Sequence, residues 1–353
     1  MKFDIKDIED KELFSSTATV VFDTRTDSDD RTEWHNQRSK TIGGSEIAKI
    51  AGLSKYGSPL TVFNEKLGLV ERFKGNIHTK FGTRMEDVIK EFFIDDFKET
   101  TGIEVEVCNY PFMMIDKELP FLSANVDGLA KFNEDYIYWE NRNTAEIKFI
   151  PKDELIGIEI KTAGEFSKNN WNDDEIPDEY LCQIYHYMAI TNLNYFLIIY
   201  LIGKEVKWKV VPRNEDDIKA LREIGKDFWN NHIATKIPPA PTGIKKETDE
   251  ILEQQVLSDG EEVDITDNKL TQYNKVSEKI KDLEKEKERL KQEIFLEMGN
   301  NKKATDGSYK VTRYVVTKDK LDNKLLKEKY PETYKIILNG TTEYVNMKVT
   351  KCK

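Results

Sequence analysis

Cysteine is scarce and organises nothing. Cys108, Cys182 and Cys352 stand far apart with no paired spacing. They fit reduced thiols rather than a disulfide frame or a zinc site, and three thiols cannot supply four cluster ligands. Long apolar runs are also missing: nothing approaches the roughly 20 residues that cross a bilayer, and the N-terminal MKFDIKDIED is too acidic for a secretory or transit signal. A cytoplasmic protein with no membrane partner is the expectation. Positive charge is short, with a net of -11, which argues against coating nucleic acid by bulk attraction but leaves room for a local DNA groove. The deficit is uneven: residues 1-238 carry -12 and residues 239-353 carry +1. Apolar residues reach only 38% while charged ones make 34%, so part of the chain is extended and solvated.

What is present divides the chain. Residues 23-33 form a polar run that reads as loop. Ser45 is a suitable N-cap for a helix carrying Ile47, Ile50 and Ala51. A second helix is predicted over Pro59 to Leu67 with Gly68 as its stop, and a third over about Thr83 to Thr100 with Met85, Val88, Ile89, Phe92 and Phe93 as its stripe. The period then changes from helical to alternating. Strands are predicted over Val105-Phe112, Leu122-Asn125, Tyr136-Glu140, Ala145-Ile150 and Leu155-Thr162, as a meander. A helix over 178-191, strands over Tyr195-Ile202 and Lys207-Val211, and a helix over Asp216-His232 complete an α/β or α+β domain spanning 1-237. Pro238-Pro239-Ala240-Pro241 opens a Pro-rich and acidic linker to residue 266. Over 267-299, Tyr273, Val276, Ile280, Leu283, Leu290 and Ile294 alternate by three and four, with Lys287 at one seam position. That is a long coiled-coil-like helix in need of a partner. A small strand-helix-strand unit over 300-353 ends the chain, with strands at 309-317 and 342-350.

Two strand patterns could carry chemistry. In Gly157-Ile158-Glu159-Ile160-Lys161-Thr162, alternation sends Ile158 and Ile160 into a core and puts Glu159 and Lys161 together on the other face. A carboxylate beside an ammonium on rigid backbone suits phosphodiester hydrolysis, where a hard metal ion needs oxygen ligands and an activated water needs a positioned cation. Glu146-Ile147-Lys148, thirteen residues earlier, has the same pattern. Taken alone, Asp127 before Gly128 reads as a turn cap, Glu86 as a helix-dipole carboxylate, and either E-x-K as an exposed sheet face. His78 and His186 lack zinc spacing and read as non-ligands. Trp171 either stacks on a base or anchors its loop.

In combination these residues say more. A helical Glu, an Asp before Gly, an E-x-K strand and a helix bearing Gln183 follow the order of the PD-(D/E)XK nucleases. Within them the chain resembles the lambda-exonuclease and YqaJ-type viral recombinase family over roughly residues 38 to 220. The resemblance is carried by RSKTIGGSEIAKIAGLSKYGSPLTVFNEKLG, FGTRMEDVIKEFF, FLSANVDG, GIEIKT and IPDEYLCQIYHYMAITNLNYFLIIYLIG. It implies a central mixed sheet flanked by helices and one or two Mg²⁺ or Mn²⁺ ions. Asp127, Glu159 and the Ile160 carbonyl would be ligands, with Glu86 direct or through water. By the same resemblance Lys161 orients or deprotonates the attacking water, Gln183 supports it, and Arg38 with Ser45 holds a terminal 5′-phosphate. The implied activity is 5′ to 3′ degradation of one strand at double-stranded DNA ends. It leaves 3′ overhangs for a single-strand annealing protein, with a trimeric ring around the DNA, in a phage or prophage setting. A same-fold endonuclease or structure-specific nuclease, and a non-catalytic DNA-end scaffold, are the alternatives.

Distance chooses between the two strands. Glu159 lies 24 residues before Gln183, room for one loop and one helix, whereas Glu146 lies 37 before it and would enclose an extra hairpin. Glu146 and Lys148 therefore read as part of an inserted hairpin over about 134 to 154. The Asp127-to-Glu159 interval is 32 residues, a departure from the shorter separation usual in the family that the chain resembles. Glu159→Ala is accordingly expected to abolish cleavage in a nuclease assay while Glu146→Ala keeps most of it; the reverse result would move the site thirteen residues upstream.

Overall fold

The structure is a computed structural model that describes residues 6-27, 32-70, 75-141, 146-164, 175-255, 260, 262-317 and 323-337. In chain order the elements are β1 (Lys6–Asp7), β2 (Ala18–Asp23), α1 (Thr32–Ser39), α2 (Gly44–Ile50), α3 (Pro59–Leu67), α4 (Ile77–Thr101), β3 (Val105–Asn109), β4 (Phe112–Asp116), β5 (Ser123–Ala124), β6 (Gly128–Phe132), β7 (Tyr136–Asn141), β8 (Glu146–Ile150) and β9 (Ile156–Ala163). There follow α5 (Asp178–Thr191), β10 (Tyr195–Ile202), β11 (Glu205–Pro212), α6 (Glu215–Phe228), α7 (Lys245–Glu253), α8 (Lys269–Met298), β12 (Lys303–Thr305), β13 (Lys310–Thr312), α9 (Asn323–Lys329) and α10 (Pro331–Ile337). The chain separates into two compact units, Met1–Val256 and Leu257–Lys353.

A six-stranded mixed sheet in the order β1-β3-β6-β9-β10-β11 is the centre of the first unit. β9 and β10 pair in parallel through the α5 crossover, and the other neighbours are antiparallel except β1 with β3. Parallel neighbours need such a crossover because a tight turn cannot reverse the chain twice. β10 reads YFLIIYLI and is buried on both faces, as a continuous apolar strand in the middle of a sheet should be. Its Phe196, Ile198, Tyr200 and Ile202 pack with α2, α3, α5 and α6 residues, whereas Leu197 and Ile199 pack with α4 residues such as Ile89, Phe93 and Phe97. In β9 the residues on the α4 side are Ile156, Ile158 and Ile160. Alternation therefore turns Glu159 and Lys161 toward α5.

Several close approaches fix these layers. A methyl group on Gly157 would lie 2.3 Å from the Phe196 ring, and one on Gly128 would lie 2.8 Å from the Cys108 carbonyl oxygen. Both contacts are far inside van der Waals distance, so β9 and β6 can sit where they do only without those side chains.

The predicted helices over 59-67 and 178-191 and the strand over 195-202 appear with the same bounds, and Gly68 closes α3 in the left-handed region at φ 67°. Other expectations are corrected. α4 begins at Ile77, capped by Asn76, whose side chain accepts from the His78 and Thr79 amides. This cap is an Asx motif upstream of the apolar stripe. Phe92 is 60% exposed and lies off that stripe. The strands from 105 onward form no single meander. Pro111 lacks an amide to continue a ladder, and the chain leaves the six-stranded sheet for a second one, β2-β4-β5. The run from Asp23 is not all loop: Arg25 is tied to Asp23, Asp7 and Glu9. Asp127 ends no strand before a turn; it stands at the head of β6, with its amide donating to the Ile158 carbonyl at 3.1 Å.

The insertion is a separate two-stranded hairpin, β7-β8, with Tyr138 opposite Lys148. At the other end, the first unit includes the Pro-rich segment and α7. α7 packs on α3, and the Asn64 side-chain amide donates to the Glu250 carboxylate at 2.9 Å. The Pro238-to-Pro241 stretch thus lies inside this unit and not at its border. In the second unit a hairpin of β12 and β13 replaces the strand expected over 309-317, and Pro331 starts α10 where one helix was expected. The strand expected over 342-350 and Trp171 lie outside the described residues. Among the described residues no helix is long and apolar enough to cross a membrane.

Candidate active site

One cleft of about 430 Å³ is lined by Arg38, Ser45, Glu86, Asp127, Glu159, Ile160, Lys161 and Gln183, with Lys90 and Tyr187 among its other walls. All eight residues singled out from sequence meet there, although they come from five different elements and the turn before β6.

Glu159 is its most constrained member. The residue is 1% exposed, and its Oε1 accepts from Lys161 Nζ at 2.5 Å and from Gln183 Nε2 at 2.6 Å. Its Oε2 is buried and has no hydrogen-bond partner among the described residues. Burial pushes its pKa up to about 8, the Asp127 and Glu86 charges add to that, and Lys161 opposes it. Lys161 shows the counterpart: burial disfavours its charge, but the Glu159 and Asp127 carboxylates outweigh burial and raise its pKa. It is therefore held as a cation. Its Nζ also donates to Gln183 Oε1 at 3.0 Å and lies 5.1 Å from the Tyr180 ring centroid.

Asp127 reaches across from β6. Its Oδ2 accepts from the Ile160 amide at 2.7 Å. In an extended strand the amide and carbonyl of one residue point to the same edge, so the Ile160 carbonyl faces the gap beside Asp127, where β6 pairing has ended at Gly128 and Ile158. Two carboxylates and a main-chain carbonyl, one carboxylate oxygen being buried and unpaired, form an all-oxygen set. Such a set suits Mg²⁺ or Mn²⁺, which bind through one or two carboxylates and keep waters or substrate phosphate for the rest. Among the described residues no group of three or more His, Cys, Asp or Glu is placed to hold a metal ion, so Glu86, Asp127 and Glu159 do not converge as a three-carboxylate set.

The opposite wall is built by α1, α2 and α5. Arg38 Nη2 donates to Ser45 Oγ at 2.9 Å, and the guanidinium lies 4.7 Å from the Trp34 ring centroid. Ser45 does not cap α2; Gly43 does, and its amide donates to Glu46 Oε2 at 2.8 Å. Burial works against the Glu46 charge, but Lys66 and Arg38 outweigh it and lower its pKa. Lys66 Nζ, 2.7 Å from Glu46 Oε1, also donates to the Arg38 carbonyl at 2.6 Å. This buried pair pins the corner that carries Arg38 and Ser45. A methyl on Gly44 would lie 2.6 Å from Gln183 Cγ and 2.7 Å from the Tyr187 ring, so α2 touches α5 only because residue 44 is glycine.

Sequence reasoning missed several of these residues. Lys90 is 2% exposed, and its Nζ donates to Asn109 Oδ1 at 2.7 Å; nothing in its helical context marks it. Tyr187 is another, and its hydroxyl accepts from Gln183 Nε2 at 3.0 Å. Gly43-Gly44 was a usable signal, since two glycines opening a helix imply a close approach. His186 Nε2 pairs with the Ser123 carbonyl at 2.9 Å, and burial lowers its pKa to about 4.

Comparisons with known proteins agree with this geometry. Asp127 at the head of one strand and Glu159-Ile160-Lys161 on its antiparallel neighbour, in a mixed sheet flanked by helices, is the PD-(D/E)XK arrangement. Residues 33–194 match the YqaJ-like viral recombinase domain, and all eight residues lie within that stretch. The chain is 26% identical over 321 residues to the uncharacterized protein YqaJ of Bacillus subtilis strain 168, covering 88% of this chain and 92% of that one. Among solved structures, an alkaline exonuclease from Laribacter hongkongensis is 15% identical, covering 63% of this chain and 99% of its own, with a TM-score of 0.42. A phage related exonuclease from Haemophilus somnus 129PT is 13% identical, covering 58% and 100%, with a TM-score of 0.33.

The shifted groups define a pH dependence for metal-free protein. Folded Glu159 holds a proton up to about pH 8, whereas the unfolded carboxyl releases it near its ordinary value of 4.5, so its contribution lowers stability as pH rises through that interval. His186 acts oppositely between its folded value of about 4 and its ordinary value of 6.5, and the two offset each other at lower pH. From pH 7 to 8, in EDTA, urea unfolding should show stability falling by up to about 1.4 kcal/mol per pH unit, and Glu159→Gln should flatten that slope. An unchanged slope in the variant would contradict the assignment.

Proposed function

We propose that this protein is a divalent-metal-dependent DNA nuclease that degrades one strand of linear duplex 5′ to 3′ and leaves 3′ single strands for an annealing protein in phage-type recombination. The observation that carries the reading is the Glu159 carboxylate, buried with one oxygen unpaired beside Asp127 and Lys161 in an open polar cleft. A structural ion pair would have no use for that free oxygen, because an unpaired buried acceptor costs about 1-3 kcal/mol.

Asp127, Glu159 and the Ile160 carbonyl would hold Mg²⁺ or Mn²⁺, with Glu86 joining directly or through water. When bound, the ion supplies a water of lowered pKa and neutralises charge on the phosphate. Lys161 keeps its proton at Nζ and faces the charge that builds on the phosphoryl oxygens. Gln183 bonds both Glu159 and Lys161 and so restrains the rotation of each. Arg38 and Ser45, held together and backed by Trp34, would take the terminal 5′-phosphate as a two-point anion contact. A ring of three copies around the duplex is the assembly that the family resemblance favours for this activity.

The test is incubation with Mg²⁺ and linear duplex, phosphorylated or not at its 5′ ends, beside a covalently closed circle. Linear DNA should disappear, the circle should persist, and Arg38→Ala should lose the preference for phosphorylated ends. Cutting of the circle would overturn the exonuclease reading, and no degradation with Mg²⁺ or Mn²⁺ would leave a non-catalytic end-binding scaffold.

A further inference from the structure

The helix α8 carries an apolar stripe turned to solvent: Tyr273, Val276, Ile280, Leu283, Leu290 and Ile294 are each between 44% and 68% exposed. A helix that presents six large apolar side chains along one line, among dense Glu and Lys, buries that line against another helix. We infer that the partner is a second copy of this chain, paired with the first in a parallel, in-register, two-stranded coiled coil through α8.

The seam residues select that geometry. Counted in sevens, Tyr273, Ile280, Lys287 and Ile294 fall at the first seam position, and Val276, Leu283, Leu290 and, in the last turn, Glu297 at the second. Ile at the first with Leu at the second is the combination that favours two parallel strands. Lys287 sharpens the choice. Two lysines can splay their stems to solvent from a dimer seam, whereas three around a trimer axis would crowd their charges. In-register pairing also sets Lys287 against its own copy and not against an apolar residue.

The charges beside the seam agree. In a parallel pair, the residue just before the first seam position meets the residue five further along on the partner copy. Lys279 then meets Glu284, and Glu286 meets Lys291, each twice by symmetry. No like charges meet at these flanking positions. In antiparallel pairing, one register that overlays the seams puts Glu286 on Glu286 and Glu284 on Glu284, and the alternative lays Lys287 against Val276. Within one helix Glu286 pairs with Arg289 at 2.6 Å, an exposed contact that exchanges partners at little cost. The β12-β13 hairpin leaves the seam clear: its Arg313 lies 5.9 Å from the Phe295 ring centroid, and Phe295 is outside both seam positions. The inference stands apart from the nuclease reading, since it uses no residue of the cleft.

The experiment is sedimentation equilibrium of the full chain at tens of micromolar with two charge-swapped variants. Wild type should sediment as a dimer or, where the ring of three copies also forms, as six copies in two rings joined through α8, and Leu283→Asp should weaken pairing while the thermal unfolding of the first unit is unchanged. Lys279→Glu with Glu286→Lys in one chain, and Glu284→Lys with Lys291→Glu in another, should each lose self-association by at least about tenfold, because all four contacts turn repulsive. Mixing the two variants restores every contact and should recover wild-type affinity as a heterodimer. Unchanged self-association of the swapped chains, no recovery on mixing, or indifference to Leu283→Asp would each overturn the proposal.

Discussion

A carboxylate buried in the middle of a sheet is expensive, and the architecture around Glu159 is arranged to keep it there. Desolvation favours protonation of the group, and a lone ionised carboxylate at such a site would cost several kcal/mol. Lys161 and Gln183 answer for one oxygen only. The other is buried and has no hydrogen-bond partner among the described residues. A single ammonium and a single amide thus leave one buried carboxylate oxygen unanswered, which is the physical ground for reading the site as a metal site.

That shortage is built by positions far apart in sequence. β9 aims Glu159 toward α5 because its alternate residues, Ile158 and Ile160, are committed to the α4 layer. α5 can bring Gln183 within 2.6 Å because Gly44 lets α2 lie against the same helix. Asp127 reaches the Ile160 amide because Gly128 allows β6 to pass the Cys108 carbonyl. The Glu46–Lys66 pair then holds the α1-α2 corner from behind. Each contact is ordinary; their common effect is to bring Arg38, Ser45 and the carboxylates to one cleft.

Much of this was legible beforehand, for identifiable reasons. β10, α3 and α5 were readable to the residue because their apolar periods and the Gly68 stop leave no competing pattern. The choice of Glu159 over Glu146 rested on chain length alone, and the separate β7-β8 hairpin now gives it a structural cause. What could not be read depends on tertiary contact. Lys90 looks like any surface lysine until Asn109 is seen beside it. Asp127 looked like a turn cap because Asp-Gly usually is one, whereas this glycine serves a close strand approach. α7 followed a proline run, and only its contact with α3 shows that the domain continues past it. The Asn76 cap was hidden because it precedes the apolar stripe of α4.

The most direct measurement of the central claim is anomalous diffraction from crystals of the protein soaked in Mn²⁺. An anomalous peak within coordination distance of Glu159 Oε2 and the Asp127 carboxylate, reached also by the Ile160 carbonyl, is the result expected. Saturating Mn²⁺ with no peak there, or a peak at the β7-β8 hairpin beside Glu146, would contradict the account.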